Sequence, residues 1–158
     1  QEARPKIEAL PDDIVWHFVG RLQSNKAKAV AETFAVVHTF EKGSQLVETA
    51  KSGRVINGLV EVNIANEQQK AGVLPEALDK FVSELSNYPQ VRFRGMMTIG
   101  PLVSEAELNR PVFKELARLG KELGTEWLRM GMSGDFDVAI QEGATHVRIG
   151  TALFGERA

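Results

Sequence analysis

The sequence predicts an α/β protein organised around a parallel sheet. Short β-branched apolar runs recur between stretches of helical periodicity, and several of them are apolar on both faces, as parallel strands covered by helices are. The last two runs each lead through glycine and a small hydroxyl residue into a helical pattern, an exit that leaves unpaired N–H groups facing a ligand.

The predicted strands, in order, are residues 15–19, 35–39, 59–64, 93–99, 127–130 and 147–149. Between them lie an Ala-rich helix at 25–32 and an amphipathic helix at 43–51 that ends before Ser52-Gly53. Pro75 opens a helix at 76–85, where its missing N–H is not needed. Ser104 precedes a long helix at 105–123 that Gly124 closes, and a short helix at 137–142 stops at Gly143. Strands alternating with helices imply right-handed crossovers. Two architectures satisfy this pattern, an open doubly wound sheet and a (β/α) barrel lacking its first two strands, because a full barrel needs eight. Periodicity does not choose between them.

At 158 residues, with no linker or low-complexity tract, the chain is expected to be one domain. Hydrophobic residues make up 43% and charged residues 25%, and the net charge of -2 gives no reason to expect nucleic acid or an anionic membrane. No apolar run reaches the roughly 20 residues of a membrane span. The absence of cysteine excludes disulfides and thiolate metal sites. A cytoplasmic monomer with a small-molecule partner is the expectation. The chain opens on Gln1 within a charged stretch, so a trimmed or incomplete N-terminus is expected.

The chemistry-bearing segments are Met130-Gly-Met-Ser-Gly-Asp-Phe-Asp137 and His146-Val-Arg-Ile-Gly-Thr-Ala-Leu-Phe-Gly155. Glycine lets the backbone approach a ligand, and Ser133 and Thr151 add hydroxyl donors. In a (β/α) barrel the loops after the last two strands commonly bind phosphate. Arg148 lies inside an apolar strand and must find a partner, either a structural salt bridge or a ligand acceptor above the strand ends. His17, in Trp16-His-Phe-Val-Gly-Arg-Leu-Gln-Ser-Asn-Lys26, either lines the barrel mouth or sits in the core. Arg21, Ser24, Asn25 and Lys26 read as a polar exit and helix cap, with phosphate contact by Lys26 the lesser reading. Asn63, Met97 and Thr98 end the third and fourth strands. The three histidines show no metal-ligand spacing, there is no dinucleotide or Walker loop, and a hydrolase triad around Ser133 is weakly supported.

Five motifs in order then carry a resemblance: Trp16–Lys26, Val62-Asn-Ile64 with Lys70-Ala-Gly72, Gly95-Met-Met-Thr-Ile99, Met130-Gly-Met-Ser-Gly-Asp135, and Val147-Arg-Ile-Gly-Thr-Ala-Leu-Phe-Gly155. Together they resemble the pyridoxal phosphate homeostasis proteins, over the whole chain. The resemblance implies a (β/α)8 TIM barrel of the alanine racemase N-terminal type, here strands three to eight. It implies pyridoxal 5'-phosphate (PLP) as cofactor, with Ser133, Gly150 and Thr151 holding the phosphate, Arg148 facing the pyridine nitrogen, and Met97 and Asn63 near the ring. It implies a carrier and regulator in vitamin B6 balance rather than an enzyme. The alternative is a fold type III amino-acid racemase, against which Ile99 stands where such racemases place a ring-stacking histidine. The lysine that holds the aldehyde as a Schiff base, and a Gly-Glu-Asn turn after the second strand, would both precede Gln1.

Overall fold

The computed structural model describes residues 2–156. Six parallel strands form one sheet in the order of the chain: β1 (His17–Phe18), β2 (Val36–Phe40), β3 (Ile56–Glu61), β4 (Val91–Met97), β5 (Trp127–Met132) and β6 (His146–Arg148). A doubly wound sheet would reverse its strand order at a switch point. Here every crossover steps the same way, so the crossover helices fall on one face and the sheet curls away from them.

The curl has a direct measure. The rings of His17 on β1 and His146 on β6 lie 6.4 Å apart between centroids. The edges of a flat six-stranded sheet would stand roughly 24 Å apart at the usual strand spacing. The two end strands therefore share one lumen, and the sheet is an arc of a barrel.

The helices are α1 (Ala3–Ala9), α2 (Ala27–Thr33), α3 (Gly43–Ala50), α4 (Leu78–Leu85), α5 (Arg110–Glu122), α6 (Phe136–Gln141) and α7 (Thr151–Phe154). Three start later than the sequence predicts, each behind a 3-10 turn at Ser24–Lys26, Pro75–Ala77 or Ala106–Asn109. For α5 the cause is Pro111, which would break a helix begun at Glu105 and is accepted only in the first turn. Gly124, at φ 62°, follows α5 as expected of a C-cap glycine. The α1 helix was not read from the sequence, since none of its residues is buried and its amphipathic signal is absent.

Strand boundaries also move. β3 begins three residues earlier than predicted, at Ile56, because Asn57-Gly58 hid its entry behind residues that strands seldom use. A register irregularity follows at Gly58/Leu59. β4 begins at Val91, two residues early, and ends at Met97; Thr98 just beyond it still donates its N–H to the Arg129 carbonyl at 3.1 Å and its hydroxyl to the Val62 carbonyl at 2.8 Å.

Two cores result. Outward-facing Val37, Phe40, Val60, Met96 and Met130 pack against Leu46, Leu78, Phe113 and Leu116 from the helices. Inside the arc a smaller group, Val36, Leu59 and Met97 with Trp127, fills the lumen. Where β4 passes β5 the chains approach so closely that a Cβ on Gly95 would sit 1.8 Å from the Trp127 carbonyl oxygen. Neither partner is the flexible end of a side chain, so only strand separation relieves the clash. Gly95→Ala is expected to cost about 3 kcal/mol, the upper part of the overpacking range, as measured by urea unfolding. A loss below about 1 kcal/mol would mean that the curl does not depend on this contact.

Candidate functional site

The ends of β5 and β6 carry the predicted anion cup, and the turn after β5 is built before any ligand is considered. Gly131, at φ 92°, takes a conformation open to glycine, and a Cβ there would press on Ala139 at 2.6 Å. Asp135 then folds the loop back on itself: its Oδ1 accepts from the Met132 N–H at 2.7 Å and its Oδ2 from Asn109 Nδ2 at 2.8 Å. Asn109 Nδ2 also donates to the Pro101 carbonyl at 3.1 Å. Two buried side chains thus tie the exit of β4, the start of α5 and the exit of β5 into one unit.

That unit presents Ser133. The backbone N–H groups of Gly150 and Ala152 both donate to Ser133 Oγ, each at 3.2 Å. Gly150, Thr151 and Ala152 are exposed, and beside Gly150 and Gly134 nothing lies within 4 Å of the place a Cβ would take. Two N–H donors, the Ser133 hydroxyl and the exposed Thr151 are therefore gathered beside the open space at Gly134 and Gly150. A tetrahedral anion with several acceptor oxygens suits this donor set, because a hydroxyl and backbone N–H groups hold it without needing a cation.

Arg148 is half-buried on the inner face of β6, and its Nη2 approaches Met132 Sδ at 2.8 Å. A thioether is a weak acceptor. Arg148 enters none of the ion pairs found among the described residues. Of the two partners the sequence allowed, the structural salt bridge is not observed there.

The remaining predicted residues divide. Asn63, 8% exposed, uses its amide locally, donating to the Glu67 carbonyl at 2.9 Å and accepting from the Glu67 N–H at 3.2 Å. It lines a cavity of about 180 Å³ with Glu61, Lys70 and Ile99. Met97 is fully buried in the lumen core against Val36 and Leu59. Lys26, by contrast, lines a separate groove of about 680 Å³ with Phe18, Arg21 and Phe34 beside β1.

The lumen below the cup holds groups that the sequence reading did not connect. His17 Nδ1 and His38 Nε2 lie 2.9 Å apart, and the His146 ring stacks 4.9 Å from Trp127. All three histidines thus meet inside the arc. Burial lowers the pKa of each; for His38 it falls to about 3, with the charges of His17, Arg129 and His146 adding to burial. Glu61 also faces inward, and burial together with Glu41 raises its pKa. Arg129 is 2% exposed. The signal for Arg129 was available, since it interrupts Leu128-Arg129-Met130 as Arg148 interrupts Val147-Arg148-Ile149. Among the described residues no group of His, Cys, Asp or Glu is arranged to hold a metal ion, and no helix is long and apolar enough to cross a membrane.

Comparisons with known proteins agree on one group. A family model described as "Alanine racemase, N-terminal domain" matches residues 1–158. The pyridoxal phosphate homeostasis protein of Aquifex aeolicus is 44% identical over 99% of this chain and 74% of its own length. The same-named protein of Synechocystis is 38% identical over 99% of this chain and 78% of its own. Among solved structures, PipY of Synechococcus elongatus with PLP bound superposes with a TM-score of 0.82 at 32% identity, covering 98% of this chain and 76% of that one. The alanine racemase of Bartonella henselae shares the fold, with a TM-score of 0.73 at 14% identity. These likenesses settle the architecture as the barrel rather than the doubly wound sheet.

The histidine cluster gives a pH dependence whose sign is fixed. A histidine held at about 3 when folded and near 6.5 when unfolded binds more protons unfolded between those values. Stability is therefore full above about pH 6.5 and falls as the pH drops toward about 3. Thermal unfolding followed from pH 7.5 to 4.5 should show the decline, and His38→Gln should flatten it. An unchanged slope in the variant would remove His38 as a source.

Proposed function

The chain belongs to the alanine racemase N-terminal domain family, and from that membership we propose that it is a PLP-binding protein serving intracellular vitamin B6 homeostasis, a carrier and regulator rather than a catalyst. The observation that carries this reading is the cup: Ser133 Oγ with the converging N–H groups of Gly150 and Ala152, open to solvent at the barrel mouth. Its support from relatives is that curated proteins 38–44% identical to this chain are named pyridoxal phosphate homeostasis proteins.

In this reading Ser133, Thr151 and the backbone of Gly150 bind the phosphate. Their contacts are donors without a fixed charge, so they hold and orient the ligand from one end. Arg148, whose Nη2 meets the Met132 sulfur, donates to the pyridine nitrogen. A cation there holds that nitrogen unprotonated. PLP, when bound, supplies an aldehyde and an electron-withdrawing ring, and an unprotonated nitrogen weakens the second. Ile99 and Asn63 border the ring's side of the mouth, where an apolar Ile99 packs against a ring and moves no proton. Met97 supports that floor from beneath. The protein acts as a cytoplasmic monomer with PLP as its small-molecule partner, in one barrel domain.

Replacing Ser133 by Ala together with Thr151 by Val removes two hydroxyl donors to a charged group. Each such bond is worth about 1.5–3 kcal/mol, so PLP affinity should fall at least roughly a hundredfold, read by equilibrium dialysis or by the ligand's absorbance. Retention equal to wild type would place the phosphate elsewhere. Racemisation of alanine or serine above the rate of free PLP would overturn the non-catalytic half of the reading.

A further inference from the structure

The lumen contains a second arginine that the cup does not use. On β5, Leu128 and Met130 pack outward into the helix-facing core, so Arg129 between them projects into the arc. Its Nη2 has no hydrogen-bond partner, and it enters none of the ion pairs of the described residues. A buried cation without a paired anion is destabilising, and a neutral residue of similar volume is often better tolerated. Packing alone therefore gives no reason for an arginine at this position.

The register shows what it lies beneath. Arg129 is level with His146, and Met132 is level with Arg148. The guanidinium of Arg148 thus belongs to the next inward position above Arg129, toward the strand ends. In the other direction the row runs Arg129, Met97, Glu61 across β5, β4 and β3. The groups that face Arg129 are Glu61 from β3, His38 from β2 and Arg148 from β6. Arg21 and Glu41 act on the same lumen through Glu61, and His17 and His146 complete it. Of these, Glu61 is the sole carboxylate in the row, set against two guanidiniums. The pKa of Arg129 falls to about 10, through burial first and then through the charge of Arg148, while Glu61 opposes the fall.

We propose that Arg129 is a positioning residue for the ring end of the cofactor site: its buried charge, one step below Arg148, holds the Arg148 guanidinium toward the barrel mouth and helps keep the pyridine nitrogen above it unprotonated. The proposal rests on the reading that Arg148 faces that nitrogen. Like charges in a weakly screened interior separate along the direction open to them. For Arg148 that direction is outward, because Met132 Sδ is too weak an acceptor to retain Nη2. Both cations also disfavour a proton on the ring nitrogen, so their effects add.

The test uses the full chain as wild type, Arg129→Met and Arg129→Lys, with pyridoxamine 5'-phosphate carrying a ¹⁵N-labelled ring. This probe has the phosphate and ring but no aldehyde, so binding does not require a lysine. The pH midpoint of ring-nitrogen protonation is read in the bound state by NMR, at the nitrogen itself and apart from the titrations of Glu61 and the histidines. Arg129→Met should raise the midpoint by roughly one pH unit, Arg129→Lys should restore the wild-type value, and ligand-free Arg129→Met should melt no lower than wild type. An unmoved midpoint in Arg129→Met with ligand bound overturns the proposal, as does an equal rise in Arg129→Lys. A ligand-free melting temperature several degrees lower in Arg129→Met, with binding lost, makes the residue structural and overturns it too. Failure of the wild type to bind the probe instead overturns the reading of the site on which the proposal stands.

Discussion

A sheet that curls until side chains of its first and last strands meet across one lumen has a confined interior, and every second residue of every strand must fit inside it. Here the inward positions include His17, Val36, His38, Leu59, Glu61, Met97, Trp127, Arg129, His146 and Arg148. The outward positions are free to be apolar and pack on helices, but the inward ones have no such outlet. Polar groups among them must pair or stay neutral. The 2.9 Å contact of His17 with His38 requires one ring nitrogen to donate and the other to accept. Two neutral rings meet that requirement, and burial enforces neutrality.

The same constraint separates scaffold from site. Side chains that fix the exits are largely buried and hold short hydrogen bonds: Asp135 with the Met132 N–H and Asn109, Asn63 with Glu67, and Glu41 with the Gly72 N–H at 2.6 Å. Atoms of the cup are exposed and weakly engaged, since the 3.2 Å bonds from Gly150 and Ala152 to Ser133 are long for their type. A stronger acceptor can take those donors without disturbing the scaffold, as a preorganised site requires.

How much of this the sequence disclosed depends on the range of the interaction. The two exits, Met130 to Asp135 and Val147 to Gly155, were legible because glycine, hydroxyl and helix start are neighbours along the chain. The alternation of strand and helix was legible for the same reason, with an error of three residues where Asn57-Gly58 altered a boundary and of five where Pro111 did. The closure of the sheet was not, since strand order is a long-range property, and the motif resemblance supplied it instead. The lumen was least legible. His17, His38 and His146 are far apart in sequence; pairing of β1 with β2 brings the first two together, and the curl brings His146 to them. Asn109 looked like one polar residue of a long helix, yet it links three elements because Pro111 forces α5 to begin beside it.

The distribution of charge in the lumen bears on the proposed reading, in which the barrel holds a cofactor rather than activates it. The proposed ring contact is Arg148, a permanent cation, and below it lies Arg129, a second one, with Glu61 as the carboxyl of the row. A site meant to draw electrons into a pyridine ring would place an acid at the nitrogen and so favour its protonation. This lumen does the opposite. The unpaired Nη2 of Arg129 and the thin contact of Arg148 with Met132 leave two lumen cations outside every ion pair of the described residues. A ligand that brings a nitrogen acceptor and an anionic phosphate to the mouth relieves part of that cost. Binding to the folded state alone then adds to folding stability by mass action. On this view occupancy and stability rise together, which suits a protein whose state follows the level of free cofactor.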